Sequence, residues 1–235
     1  MGIVAGHIIC KKTTSFAFIL LIISKKQIKT VRQMTENFSH LYYLYGAILF
    51  EQKNFKAASL ALRKSIRINP INDMAIFELA EISKLNKKMG DYFEIIKECL
   101  PVIYTSHGLS RCYRNIGYYF IEKEMYKEAI VMYSMSMMYE LKSQMAQSQL
   151  LYIQQVTGET VKRPSKDEIN SVFHQHKIQQ GASETVLNIA FSLGEMASEQ
   201  ENYHAARFYY LISYDLTNDD NIKKLIDSLP QQGNG

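Results

Sequence analysis

Several side chains in this sequence are of types that do chemistry, so their spacing is the first thing to test. Glu122/Glu124, Glu199/Glu201 and Asp219/Asp220 are close carboxylate pairs, the raw material of general acid–base catalysis. Each falls among turn-forming residues, where a solvated cap accounts for it. His174 and His176 are two apart and diverge on a helix, so they read as an exposed pair and not a metal site. Cys10, Cys99 and Cys112 form an odd set without a C-x-x-C, which argues against a disulfide framework and fits a reducing compartment. The phosphate-loop, dinucleotide, nucleophile-elbow and zincin motifs are all missing from the sequence. Met132, Met135, Met137 and Met138, within the tyrosine-rich stretch Tyr118–Tyr139, have the helical spacing of adaptable core packing. The expectation is no catalytic residue, no cofactor and no metal. Arg111 and Arg114, one helical turn apart, remain as candidates for gripping a partner.

The net charge is +4, but it is not spread evenly. Residues 1–40 hold six basic side chains against the single acid Glu36, and the rest holds 21 basic and 22 acidic residues. A body without basic excess does not track phosphates, so no nucleic acid is expected as a partner. Phe16–Ile23 is an apolar run, FAFILLII, between Lys12 and Lys25. It is too short for a spanning helix of roughly 20 residues. It has the length of a signal-peptide core, yet SKKQIK follows where small residues would mark cleavage. Three readings stay open for the leader, residues 1–38: a capping helix over 13–36, an export signal, or membrane contact through residues 13–34. The expected location is cytoplasmic, with membrane association or export as the alternative.

With 47% apolar residues, 11 Gly, 4 Pro and no Trp, the chain favours helices joined by short turns. Three segments repeat. Gly46, Gly117 and Gly194 are each followed nine residues later by an aromatic (Phe55, Tyr126, Tyr203), after three more by an alanine (Ala58, Ala129, Ala206), and after four more by a large residue (Leu62, Tyr133, Tyr210). Such a series suits two antiparallel helices that cross closely, the glycine opening the contact and the alanine answering it. Between them lie the polar turns EQKN, EKEM and EQEN.

These residues resemble the tetratricopeptide repeat family, a helix–turn–helix of 34 residues, with Asn69–Pro70 similar to its closing proline. Tyr42, Tyr113 and Ala190 replace the family's early tryptophan. Lysine, isoleucine and asparagine usage is also similar to that of tetratricopeptide proteins of low-GC Gram-positive bacteria. The resemblance implies an all-α, right-handed helical-repeat solenoid with five hairpins, 39–72, 73–106, 110–142, 143–180 and 187–220. A capping helix and tail would follow in 221–235. Gly46 to Gly117 is 71 residues and Gly117 to Gly194 is 77, so a divergent hairpin is expected in each gap. The first has its turn displaced to Met89–Tyr92. The second is broken by the connector GETVKRP, 158–164, ahead of a capping box at Ser165–Glu168.

In stacked hairpins the first helices line a concave side, where the family's partners usually lie. The positions expected there are Tyr43, Ala47 and Phe50; Phe77, Glu81 and Lys84; Arg111, Arg114, Tyr118 and Ile121; and Phe191, Glu195 and Ser198. Of these Tyr43, Phe50, Phe77, Arg111, Arg114, Tyr118 and Phe191 are the candidate binding residues, for a peptide with a hydrophobic anchor and an acidic group. Core packing is the competing reading for each aromatic. Family members that grip the acidic tails of heat-shock chaperones have a basic residue and an asparagine where this chain has Tyr43 and Ala47; only Arg111 and Asn115 fit such a clamp. The expected function is a non-catalytic scaffold or adaptor. A peptide-sensing regulatory receptor and a membrane-associated assembly factor are the alternatives.

Overall fold

The computed structural model describes residues 7–10, 30–33 and 37–230. From 37 to 230 the chain is all-α, a stack of antiparallel helix hairpins. The helices are α1 (Phe38–Glu51), α2 (Phe55–Ile68), α3 (Asp73–Leu85), α4 (Met89–Cys99), α5 (Ser106–Glu122), α6 (Tyr126–Tyr139), α7 (Gln144–Thr157), α8 (Lys166–Gln175), α9 (Glu184–Glu199), α10 (Tyr203–Thr217) and α11 (Asp220–Ser228). A short 3-10 turn, Leu100–Val102, follows α4.

Four hairpins share one local design: α1/α2, α3/α4, α5/α6 and α9/α10. The turn residue is left-handed in each, at Lys53, Lys87, Glu124 and Glu201, with φ between 56° and 59°. The following amide bonds the carbonyl five residues back, as in Asn54 to Leu49 and Met125 to Phe120, so the first helix ends in a Schellman closure. Non-glycine residues in this region cost about 1 kcal/mol, a cost offset by burial along the helix contact. That contact is small against large. A methyl on Gly46 would lie 2.8 Å from Leu62, on Gly117 2.9 Å from Tyr133, and on Gly194 2.5 Å from Tyr210. The glycine therefore receives the large residue sixteen positions on. The alanine expected to answer it is buried beside that contact, with Ala58, Ala129 and Ala206 all fully covered.

In the second hairpin Ala80 and Ile96 hold the same register, both fully buried. Its turn is Asn86–Lys88, not Met89–Tyr92. Gly90 lies inside α4 with open space around it, and Ala80 is the small residue that sets the crossing. Tyr92 takes the place of the repeating alanine.

The fourth hairpin does not close. Leu151 occupies the glycine register and is exposed. The connector 158–165 is longer than the other turns, so the large position of the second helix falls on Phe173, which is buried. α7 packs on α5 and α6, whereas α8 packs on α6 and shares little contact with α7. Gly158 ends α7 at φ 70°, and the capping box of Ser165 with Glu168 starts α8. Phe173 then meets Tyr113, and the His176 ring meets Phe120 at 4.7 Å between centroids. His176 is therefore packed, not exposed as its sequence neighbourhood suggests; His174 is exposed.

The fifth hairpin turns back. α9 touches the 3-10 turn, Asp215 accepts from the Ser106 amide at the start of α5, and the Tyr113 hydroxyl accepts from Gly181 and donates to the Gln179 carbonyl. One core runs from Ile71 to Leu229 along the solenoid, and the Ser106–Asp215 bond joins the fifth hairpin to the third as well. α11 covers α10, with Arg207 donating to the carbonyls of Ile226 and Leu229. Cys99 and Cys112 are buried thiols, Sγ to Sγ 3.5 Å.

Two four-residue strands, β1 (His7–Cys10) and β2 (Thr30–Gln33), pair in parallel, and β1 contacts α2. Thr30–Gln33 is thus strand within the span, 13–36, that one of the three readings of the leader makes a capping helix. The apolar run 16–23 and the tail 231–235 lie outside the described residues. No helix of the described residues is long and apolar enough to cross a membrane.

Candidate functional site

A groove of about 430 Å³ opens between α3, α5 and α7. Glu81 and Lys84 come from α3, Arg114, Asn115 and Tyr118 from α5, and Gln144, Met145, Ser148 and Gln149 from α7; Tyr92 and Tyr133 form the floor. The hairpin register puts them there. Tyr133 is held by the gap at Gly117, and Tyr92, standing where other hairpins have alanine, reaches into the same space. Burial pushes both phenols above their ordinary range, so both stay neutral hydroxyls.

Charge in the groove is matched internally. Lys84 pairs with Glu81 and lies over the rings of Tyr118 and Tyr92, 5.1 and 5.9 Å from their centroids. Tyr118 is pushed up to about 12, first by burial and then by its hydrogen bond to Glu122. Arg114 donates to Glu140, Ser110 and Ser143, and its side chain is only 10% exposed. That hydrogen bond, ahead of charge alone, holds the Glu140 carboxyl below its usual range. Arg114 thus braces α5 against the α6–α7 connection and presents little free charge. The acidic anchor expected of a ligand has no open counter-ion at this position.

Arg111 lies outside the groove, its guanidinium 4.2 Å above the Phe77 ring. Tyr43, Asp73 and Glu78 lie within its field, and burial raises all three pKa values. Phe77 is 2% exposed and belongs to the core, because that face of α3 is covered by neighbouring helices. Phe50 packs on Phe55 across the first turn. Phe191 packs on Tyr210 in the fifth hairpin, which contributes no residue to the groove. Ile121 is buried. The groove therefore joins Arg114 and Tyr118 with Glu81 and Lys84, and leaves Tyr43, Phe50, Phe77, Arg111 and Phe191 elsewhere.

Sequence reasoning missed Tyr92 and the α7 wall. A second register was available for it. Ser39 and Ser65 bond one another and Asn72; in the same register Ser110 donates to the Ser136 carbonyl, and Arg114 donates to Ser110 and to the α7 cap Ser143. That series fixes where α7 begins. Among the described residues no group of three His, Cys, Asp or Glu could hold a metal ion.

The structure is similar to a crystal structure of MamA protein, with a TM-score of 0.45, at 16% identity over 85% of this chain and 100% of that one. It is also similar to a structure described as functional characterization of Pseudomonas aeruginosa pilF, with a TM-score of 0.46, at 16% identity over 80% of this chain and 84% of the other. No family model and no curated protein matches the chain.

Proposed function

We propose that this protein is a non-catalytic interaction module that holds a segment of another protein in the α3–α5–α7 groove. The observation that carries this reading is the groove wall itself. Asn115, Gln144 and Gln149 line it, and a side-chain amide can donate and accept at once. Tyr118 and Met145 supply area for an apolar anchor beside them. Amides next to aromatic surface suit a polypeptide segment, whose polar groups need both partners and whose apolar side chains need a dry contact.

The test is capture of partners from native cell extract by the tagged full chain. The double variant Asn115→Lys/Tyr118→Ala disrupts the groove, and Phe208→Ala, on the exposed face of α10, is the control. Both variants must match wild type in helicity and melting. A partner retained by the control and lost from the groove variant supports the reading. Equal capture by all three proteins overturns it.

A further inference from the structure

α7 has an unusual surface. From Ser143 to Gly158 the chain has no Asp, Glu, Lys, Arg or His, and only Ala146 and Ile153 of α7 are buried. Met145, Tyr152 and Val156 are 69%, 44% and 48% exposed. Single exposed apolar residues are ordinary. Here they recur seven and four residues apart, on one helical stripe, with no charge on any face of the helix. Depletion of charge together with exposed methionine and tyrosine is the composition of an interface centre. The stripe continues the groove wall, since Met145 and Gln149 belong to both.

We infer that the segment held by the groove is an uncharged amphipathic helix of a partner protein, lying lengthwise on the Met145–Tyr152–Val156 stripe; this rests on the groove reading above. The stripe is straight along α7 for about three turns, roughly 16 Å, which a second helix matches with its own apolar row. An extended strand would press unpaired backbone groups against Met145, Tyr152 and Val156. The partner face is uncharged because Glu81 and Glu140 already engage Lys84 and Arg114. A charged side chain brought here loses its water and gains no counter-ion. Serine, threonine, asparagine and glutamine suit Gln144, Ser148 and Gln149, which accept and donate equally.

The experiment measures binding to the full chain of three labelled helical peptides of about five turns, by fluorescence anisotropy. They share one Leu/Ala row and differ on the other faces, which are Gln/Ser, Glu-rich or Lys-rich. The neutral peptide is expected to bind at least about tenfold tighter than either charged one. Met145→Lys/Tyr152→Lys, both at exposed positions, is expected to remove that binding while helicity and melting stay unchanged. Equal or tighter binding of a charged peptide overturns the inference, as does failure of all three to bind. Neutral binding that survives the α7 variant but is lost with Asn115→Lys/Tyr118→Ala leaves the groove reading intact and removes the helix from α7. A dimer of the free protein in sedimentation that the α7 variant dissociates makes a second copy the occupant, and also overturns it.

Discussion

The third hairpin and the α7–α8 segment follow one another in the chain, and they solve the same packing problem with opposite results. α5 and α6 close on each other because Gly117 leaves room for Tyr133. In α7 the same register holds Leu151, which is exposed, and the large position of α8 holds Phe173, which is buried. A leucine where a ring must enter leaves no room for one, and the longer connector 158–165 carries Phe173 to Tyr113 instead, so α8 goes to α6 and α5. Closure of a hairpin thus needs both the small residue on the first helix and the short turn that brings the large one to it. Its failure leaves α7 covered on one side only and available as a wall.

The strongest way to break this comparison is to interchange the small residue. Gly117→Ala sets a methyl 2.9 Å from the Tyr133 ring. It is expected to destabilise by about 1–3 kcal/mol, against the roughly 1 kcal/mol that alanine contributes in a helix interior. Tyr133→Ala, which empties the same contact, is expected to cost about 3–5 kcal/mol. Leu151→Ala, at the equivalent exposed site, is expected to stay within about 0.5 kcal/mol of wild type. Urea unfolding of the three variants measures this; a Leu151 effect as large as that at Gly117 would mean α7 is packed on both sides.

A second contrast concerns Arg114, which ties the closed hairpin to the open segment. Arg114→Ala leaves Ser110, fully buried, and the Ser143 cap short of a donor. The expected loss is about 1–3 kcal/mol. The sign with pH is fixed by Glu140, whose carboxyl is held low by Arg114. Its contribution is present above the ordinary carboxylate range and lost as pH falls through the depressed folded value. Arg114→Ala is therefore expected to flatten the acid limb of the melting profile as well as to lower it at neutral pH.

The parts of the molecule legible in sequence were those fixed by near neighbours. Glycine, aromatic, alanine and large residue recur because each hairpin is a local object, and the capping box at Ser165 needs only four residues. The second hairpin was harder because alanine serves there as the small residue and Gly90 looks like a turn. The return of the fifth hairpin depends on Tyr113 with Gly181 and Ser106 with Asp215, pairs 68 and 109 residues apart, which no local pattern announces. The groove suffered likewise. Tyr118 and Arg114 follow from first-helix spacing, but Tyr92 comes from a second helix. Phe191 has the right spacing on a hairpin that contributes no residue to the groove.

The smallest effect sharpens the comparison at the seam where α8 rests on α5. The His176 Nε2 is buried without a hydrogen-bond partner, and burial holds the imidazole below its usual pKa, against the opposing pull of Glu128 and with Lys97 adding to the depression. The folded chain therefore binds fewer protons than the unfolded chain just below the ordinary histidine value. Stability from this residue is present above that value and is lost as pH falls toward the depressed one. The loss belongs to α8, because the α5/α6 contact at Gly117 and Tyr133 contains no histidine. Amide exchange, corrected for intrinsic rates, is expected to quicken across 166–178 on mild acidification and to stay constant across 106–139. His176→Gln is expected to abolish the difference. Equal acceleration in both regions would show that α8 and the third hairpin open as one unit, and that the open segment is no looser than the closed one.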